Sequence, residues 1–322
     1  MKIDKTKSSS VRKAFGKALT SLGENNNKIV VMDSDLACST QTKIFADKFP
    51  ERFFDCGIAE QDMTATAAGL ASEGKIPFIA SFAVFATGRN YDQIRNGICY
   101  PNFNVKIVGT HGGITVGEDG ATHQALEDIS LMRGLPHMQV FVPADSKECE
   151  EIVKYAAEHD GPMYIRVPRG NAIDIFDENY KFEINKANVL EKGLDIALFT
   201  NGETLSQALI AAEELKTENI SISVINVPTI KPLDKNTIID CAKESKFVIT
   251  VENHSIYGGL GSAVCETLSE SYPSKVYRIG INDVFGQSGT AEELMKYYKL
   301  DAESLKIRIR ELYNSEKEQG NI

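Results

Sequence analysis

Apolar and polar positions fall in repeating blocks along the first half of the chain. Val11, Phe15, Leu19 and Leu22 recur at helical spacing, with serines at 8 to 10 ahead of them as a cap and Gly23 behind them as a stop. The next block, "KIVVMDSD", is a short apolar run that ends in a polar loop, which is the pattern of a strand buried on both faces. The same alternation predicts strands near 52 to 58, 76 to 82, 104 to 111, 138 to 143 and 162 to 167, with helical stretches between them. Strand and helix in strict alternation predict an α/β fold, doubly wound around a mostly parallel sheet.

From about 170 to 194 the rhythm lapses into the polar, turn-rich run "GNAIDIFDENYKFEINKANVLEKG". A second series follows, with strands in "DIALFTNG", "ISVINVP", "KFVITVEN" and "KVYRIGIN" and helices from about 203, near 234 and from Gly259. The expected organisation is a first domain over 1–185 and a second, smaller α/β domain with its own sheet over 190–322. The charged tail "YNSEKEQGNI" is expected to fray. No internal repeat or low-complexity segment interrupts this plan.

Composition narrows the function classes. With 322 residues, 42% hydrophobic and 25% charged, the chain has the balance of a soluble globular protein and room for two cores. A net charge of −10 argues against general affinity for nucleic acid or anionic lipid, so an anionic substrate needs locally placed arginines. No run approaches the roughly 18 apolar residues of a membrane span, and the N-terminal segment lacks a signal-peptide core, which points to a cytoplasmic protein. Six scattered cysteines with no CxxC pair predict reduced, mostly buried thiols rather than a zinc site or a disulfide scaffold.

Ligands of parallel sheets collect at the carboxyl ends of the strands, and four polar segments are expected to converge there. They are "DSDLACS", "GIAEQ", "SFAVF" and "THGGITVGEDGATHQ". Glu60 stands in the first turn of a helix, where a carboxylate also serves simply to complement the helix dipole. Phe82 and Phe85 fit a core as well as an aromatic wall. The fourth segment places His111, Asp119 and His123 in a glycine-rich loop too long and polar for a mere turn, and their spacing matches no metal-ligand pattern. His137 and His159 stand without companions and read as structural. Arg166 and Arg169, at the end of a strand, suit either a carboxylate partner or a bound phosphate. The turn "YGGLGSAV" reads first as a close turn-to-helix approach and second as an anion site.

Together "GIAEQD", "SFAVFATGRNYDQIRN", "GTHGGITVGEDGATHQALEDISLMRGLP" and "VFVPADSKE" resemble the pyrimidine-binding domain of transketolase, a thiamine diphosphate enzyme. The resemblance spans most of residues 10 to 170, and the second domain resembles the family's C-terminal domain. It implies that Glu60 hydrogen-bonds a ring nitrogen of the cofactor's aminopyrimidine and favours the imino tautomer, while Phe82 and Phe85 stack on that ring. His123 would approach the cofactor's amino group and the reaction intermediate, and Asp119 would bind a substrate hydroxyl. His111, Arg169, Ser39 and Arg12 would recognise the sugar phosphate, with Asp35 near the cofactor. The implied reaction transfers a two-carbon ketol unit from a ketose phosphate to an aldose phosphate.

Departures from the family pattern are as informative. A full transketolase carries a further N-terminal domain that binds the cofactor's diphosphate through Mg²⁺ with a Gly-Asp-Gly motif, and that motif is missing from this sequence. The chain starts about where the pyrimidine domain would. It therefore resembles the C-terminal subunit of a split transketolase, with Mg²⁺ bound by a separate N-terminal subunit, no metal ligand in this chain and two copies of each chain expected. The segment around Gly88 is one residue longer than in single-chain enzymes. Competing readings are a deoxyxylulose-phosphate synthase-like subunit, a 2-oxoacid dehydrogenase β-like subunit and a non-catalytic module of the same fold.

Overall fold

Two parallel-rich sheets organise the chain in a computed structural model that describes residues 3–320. The first sheet has seven strands, in the spatial order Thr229–Lys231, Gln139–Phe141, Met163–Val167, Lys106–Thr110, Ile76–Phe82, Ile29–Asp33 and Phe53–Asp55. Every neighbouring pair is parallel except Thr229–Lys231, which runs antiparallel to Gln139–Phe141. That edge strand comes from the second half of the chain, so the first sheet is completed from outside its own sequence. The second sheet orders Val276–Ile281, Phe247–Ser255, Ile196–Thr200, Ile222–Asn226 and Asn188–Glu191, and only the last of these is antiparallel to its neighbour. The α/β class read from the alternation is the class observed.

Apolar periodicity explains how helices cover the sheets. Ser10 caps the helix Val11–Asn25 by accepting the Lys13 N–H at 3.3 Å, and Val11, Phe15 and Leu19 turn inward to meet Phe78, Phe141 and Ile165 from the sheet. On the opposite face, Met63 and Ala67 of the helix Glu60–Ser72 pack with Ile79, Ile107 and Met132. This second core runs without a break into Phe199, Ile225 and Leu260, so the two sheets share apolar packing. Of the cysteines, Cys99, Cys149 and Cys241 are buried, Cys56 and Cys265 half-buried and Cys38 exposed; all are free. No described helix is long and apolar enough to cross a membrane.

The tail departs from expectation. The helix Ala302–Glu318 runs through most of it, because Leu312 is buried and the nearly buried Glu316 accepts hydrogen bonds from Lys275 and the Tyr277 hydroxyl. Asn321 and Ile322 lie outside the described residues.

Two acidic residues in "PADSKE" fasten the halves together. Asp145 caps the helix Ser146–Glu158 by accepting the Glu148 N–H at 2.9 Å, and its second oxygen takes the N–H groups of Ile175 (2.7 Å) and Phe176 (2.8 Å) in the connecting segment. Glu148 is fully buried and accepts from Ala144 N (2.7 Å), the Tyr180 hydroxyl (2.7 Å) and Asn226 Nδ2 (2.8 Å), the last of these from the second sheet. Burial pushes the Glu148 carboxyl up to about 8. Replacing it with alanine strands three buried donors at once, so Glu148→Ala is expected to cost about 3 kcal/mol or more in urea denaturation. A loss under about 1 kcal/mol would show that the three donors find other partners.

Candidate active site

Glu60 opens the helix Glu60–Ser72, and only 1% of its side chain is accessible. One guanidinium nitrogen of Arg89, Nη1, donates to both of its carboxylate oxygens at 3.0 Å. The Arg89 guanidinium carbon also lies 4.3 Å from the centre of the Phe85 ring, so the cation rests on that ring's face while it meets the carboxylate. Phe85 and Phe82 are nearly parallel, 12° apart with centroids at 6.1 Å. His123 approaches Phe85 edge-on at 5.3 Å and Phe82 at 6.2 Å, while His111 stacks on Phe82 at 3.8 Å. Glu60, Phe85, Phe82, His123 and His111 thus form one connected group at the carboxyl ends of the strands.

Basic groups continue the line. Arg12 donates to the carbonyls of Arg169 (2.9 Å) and Ser39, and its Nη1 lies 3.5 Å from His111 Nε2. Arg169 donates to the Val116 carbonyl and pairs with the exposed Glu118 at 2.9 Å. Burial, reinforced by the charges of Arg12, Arg169 and His123, drives the His111 pKa down to about 3, so its ring is neutral at ordinary pH. Arg12 spends its donors on carbonyls and a neutral ring rather than on a carboxylate, which leaves its charge free to meet an anion.

The remaining sequence-derived positions differ in depth. Asp119 is exposed, just past a kink at Gly117 in the segment Ile114–Asp119. Asp35 is also exposed, held at φ 61° with its backbone N–H on Asp55 Oδ1 at 3.0 Å. Its neighbour Asp33, which sequence reasoning passed over, is what shapes the "DSDLACST" loop. Asp33 is buried and accepts from Leu36 N (2.7 Å) and the hydroxyls of Thr40 (2.7 Å) and Thr42 (2.8 Å), and burial raises its pKa to about 6.

The second half of the chain holds the glycine-rich loop from behind. Asn253, at the end of a strand of the second sheet, accepts the Ile114 N–H at 3.0 Å and donates to Glu203, which also takes the Thr115 hydroxyl at 2.8 Å. Gly113 has φ +82°, and a Cβ there would fall 2.4 Å from Asn253 Nδ2, so only glycine permits this contact. Gln124 Nε2 donates to the carbonyls of Ile114 (3.2 Å) and Gln287 (2.9 Å). Arg166 forms a buried pair with Asp128 at 2.8 Å and also donates to the carbonyls of Ala125 and Asn253, so it supports the loop and does not face the rim. Polar residues at the last positions of an otherwise apolar strand, such as Asn253, were the available sequence signal.

The "YGGLG" turn takes the structural role. Glu252 occupies the start of the helix Leu260–Ser271, accepting the N–H groups of Leu260 (2.7 Å) and Gly261 (2.8 Å). A Cβ at Gly259 would lie 2.1 Å from that carboxylate. The anion position is filled by the chain itself. His159 stacks on Tyr155 at 4.0 Å, and the backbone at His137 adopts φ 66°.

A parallel sheet whose strand ends gather a buried carboxylate, paired aromatic rings and two arginines defines an α/β protein with a candidate site at its rim, and comparison with known proteins gives it a family. Residues 7–173 match the model of the transketolase pyrimidine-binding domain, and residues 185–305 match that of the transketolase C-terminal domain. The chain belongs to the transketolase family. It is 50% identical over 304 residues, 94% of this chain and 95% of the relative, to a Methanocaldococcus jannaschii protein named provisionally as a transketolase C-terminal section. It is 39% identical over 295 residues, 92% of each chain, to a 6-deoxy-6-sulfo-D-fructose transketolase subunit of a Clostridium species. A solved split-gene transketolase, described as an inactive β4 tetramer, superimposes with a TM-score of 0.88 at 48% identity, covering 95% of this chain and 98% of that one. Human transketolase matches at 38% identity, and this chain spans 48% of its length.

The His111 environment sets an acid limit. Its folded pKa near 3 lies below the ordinary histidine value, so the stability it contributes is present above about pH 6.5 and is lost as pH falls toward 3. Asparagine tolerates the φ of 60° at this position and carries no charge. His111→Asn is therefore expected to flatten the decline in denaturation free energy below pH 6.5, by at most about 2 kcal/mol at pH 5. Parallel stability-pH curves for both proteins would contradict a buried neutral His111.

Proposed function

We propose that this chain is the pyrimidine-binding subunit of a two-chain transketolase, moving a two-carbon ketol unit from a ketose phosphate to an aldose phosphate with thiamine diphosphate. One observation carries the reading: the line of contacts from Glu60 through Phe85, Phe82 and His123 to His111, Arg12, Ser39 and Arg169. It places a carboxylate, a pair of stacked aromatic rings and two arginines along one line at the strand ends, with Arg89 as the link between Glu60 and Phe85.

The donor set suits the cofactor's pyrimidine. Glu60 offers buried acceptor oxygens beside the Phe85 face, and a flat N–H-bearing cation, Arg89, already lies against both. When bound, thiamine diphosphate supplies the electron sink for the carbon–carbon bond change. Glu60 would hold a proton at the ring nitrogen, Phe82 and Phe85 would stack on the ring, and His123, edge-on to both phenylalanines, would handle a proton of the substrate. Asp119 binds a substrate hydroxyl, Arg12, Arg169, Ser39 and neutral His111 hold the anionic head, and Asp35 lies at the cofactor edge.

The diphosphate and its Mg²⁺ fall to a separate N-terminal chain, two copies of each subunit making the active complex in the cytoplasm. Ile58, two residues before Glu60, is 75% exposed, and Phe285, near Gln124, is 88% exposed; both give such a partner apolar surface to cover. Named relatives include subunits for 6-deoxy-6-sulfo-D-fructose and for apulose 4-phosphate, so modified sugars with an anionic head belong among the candidate substrates. The first domain is assigned to 1–185 and the second to 190–322.

Reconstitution tests the reading. The chain mixed with a Gly-Asp-Gly-bearing N-terminal subunit, Mg²⁺ and thiamine diphosphate is expected to transfer ketol units across a panel of ketose and aldose phosphates, and either chain alone is expected to be inactive. Full activity from this chain alone would refute the two-chain reading.

Glu60→Gln keeps an acceptor but cannot share a proton. Turnover of the reconstituted complex is expected to fall by about 10² to 10⁴ fold, together with exchange of the cofactor's thiazolium proton in deuterated buffer. Near-normal exchange would show that Glu60 serves the helix dipole only.

A further inference from the structure

Arg89 was not among the residues expected at the site, yet the structure ties it there three ways. Its side chain meets both oxygens of Glu60 and lies on the Phe85 ring, and its carbonyl accepts the Gln61 side-chain amide at 3.0 Å. The backbone explains why. Phe85–Arg89 is a turn of π-helix, the wide form that accommodates one extra residue within a helical path. The buried Asn90 stitches this turn to the neighbouring helix. In the amide orientation that satisfies both ends, Asn90 donates to the carbonyls of Phe85 (3.1 Å) and Ala86 (3.0 Å), and its oxygen lies 2.7 Å from the Thr64 hydroxyl. The turn fixes the Arg89 backbone, and 44% of the side chain remains accessible.

A buried carboxylate with no counter-charge is costly, and Glu60 is nearly inaccessible. Arg89 relieves that cost with a planar, π-stacking N–H donor, which is the chemistry an aminopyrimidine ring protonated at a ring nitrogen offers to an acceptor oxygen and an aromatic face. We infer that Arg89 is a built-in placeholder for the cofactor's pyrimidine: it occupies Glu60 and Phe85 in the unloaded chain and swings outward when the ring arrives. The placeholder rests on the cofactor assignment above and adds to it a competition inside the subunit. Glu60 is neutralised before loading, and cofactor uptake requires one contact to be exchanged for another.

Two measurements test this on the reconstituted complex and the free chain. Thiamine diphosphate with Mg²⁺ is titrated by calorimetry into complexes carrying wild-type, Arg89→Gln or Arg89→Lys subunits, and melting temperatures are taken without cofactor. Removing the competitor is expected to tighten cofactor binding about tenfold in Arg89→Gln, as for an unloaded state in which the competent conformation is a minority of about one in ten. The same change is expected to lower the melting temperature of the cofactor-free chain. Arg89→Lys keeps the charge without the flat stacking group and is expected to fall between the two on both readouts. Weaker or unchanged binding in Arg89→Gln, with wild-type binding intact, overturns the placeholder and leaves the cofactor reading standing. Absence of binding in the wild-type complex overturns the cofactor reading itself, and the placeholder with it.

Discussion

A carboxylate buried at the start of a helix and held by a single arginine sets the terms for this site. Glu60 sits at the start of a helix, where aligned backbone N–H groups favour negative charge, but helix ends supply only about 0.3 to 1 kcal/mol. Desolvating an unpaired carboxylate costs several kcal/mol, so the dipole alone does not hold it there. The remaining requirement falls on the surroundings. A cation must approach from the accessible side, an aromatic face must exclude water without hydrogen-bonding, and the loop beyond must be rigid enough to keep both in place. Arg89, Phe85 and the stack from Phe82 to His111 meet those conditions in turn.

Rigidity in turn depends on the second half of the chain. A glycine-rich loop has high conformational freedom when unfolded and pays for order with contacts. Here those contacts come from Asn253 and Glu203 and from the buried Arg166–Asp128 pair, while the edge strand Thr229–Lys231 and Asn226 draw the two sheets together. The second half of the chain also packs directly against this loop, with Gln287, Ser288 and Gly289 beside Gly117, Gly120 and Gln124. Its own glycine turn, closed by Glu252, is part of the same scaffold.

The sheets were legible because a strand buried on both faces must be apolar along its whole length, as "KIVVMD" and "DIALFT" are. The rim residues were legible because polar groups just beyond such strands have little structural reason to be there. Three features were not. Arg89 looked like one of many charges on a helical stretch, and a π-turn leaves no periodic mark over five residues. Asp33 lay inside the run that reads as strand, and its buried hydroxyl partners stand seven and nine positions away. The last helix kept its order in a charged tail because Glu316 finds partners on a strand some forty residues earlier, which no local pattern announces.

Charge operates at the same short range. The chain carries a net charge of −10, and that distributed field opposes the approach of any anion. At physiological salt, charges farther than roughly 8 Å from a ligand are largely screened. Arg12 and Arg169 escape that limit because they touch the rim itself; Arg169 pairs with the exposed Glu118, while Arg12 keeps its charge unpaired because it is bound to carbonyls and to a histidine that burial keeps neutral. A protonated His111 would compete with both arginines for the same space and raise the cost of holding three cations together. Burial and the two arginines together keep His111 neutral, and the stacking of its ring on Phe82 links the basic rim to the aromatic pair.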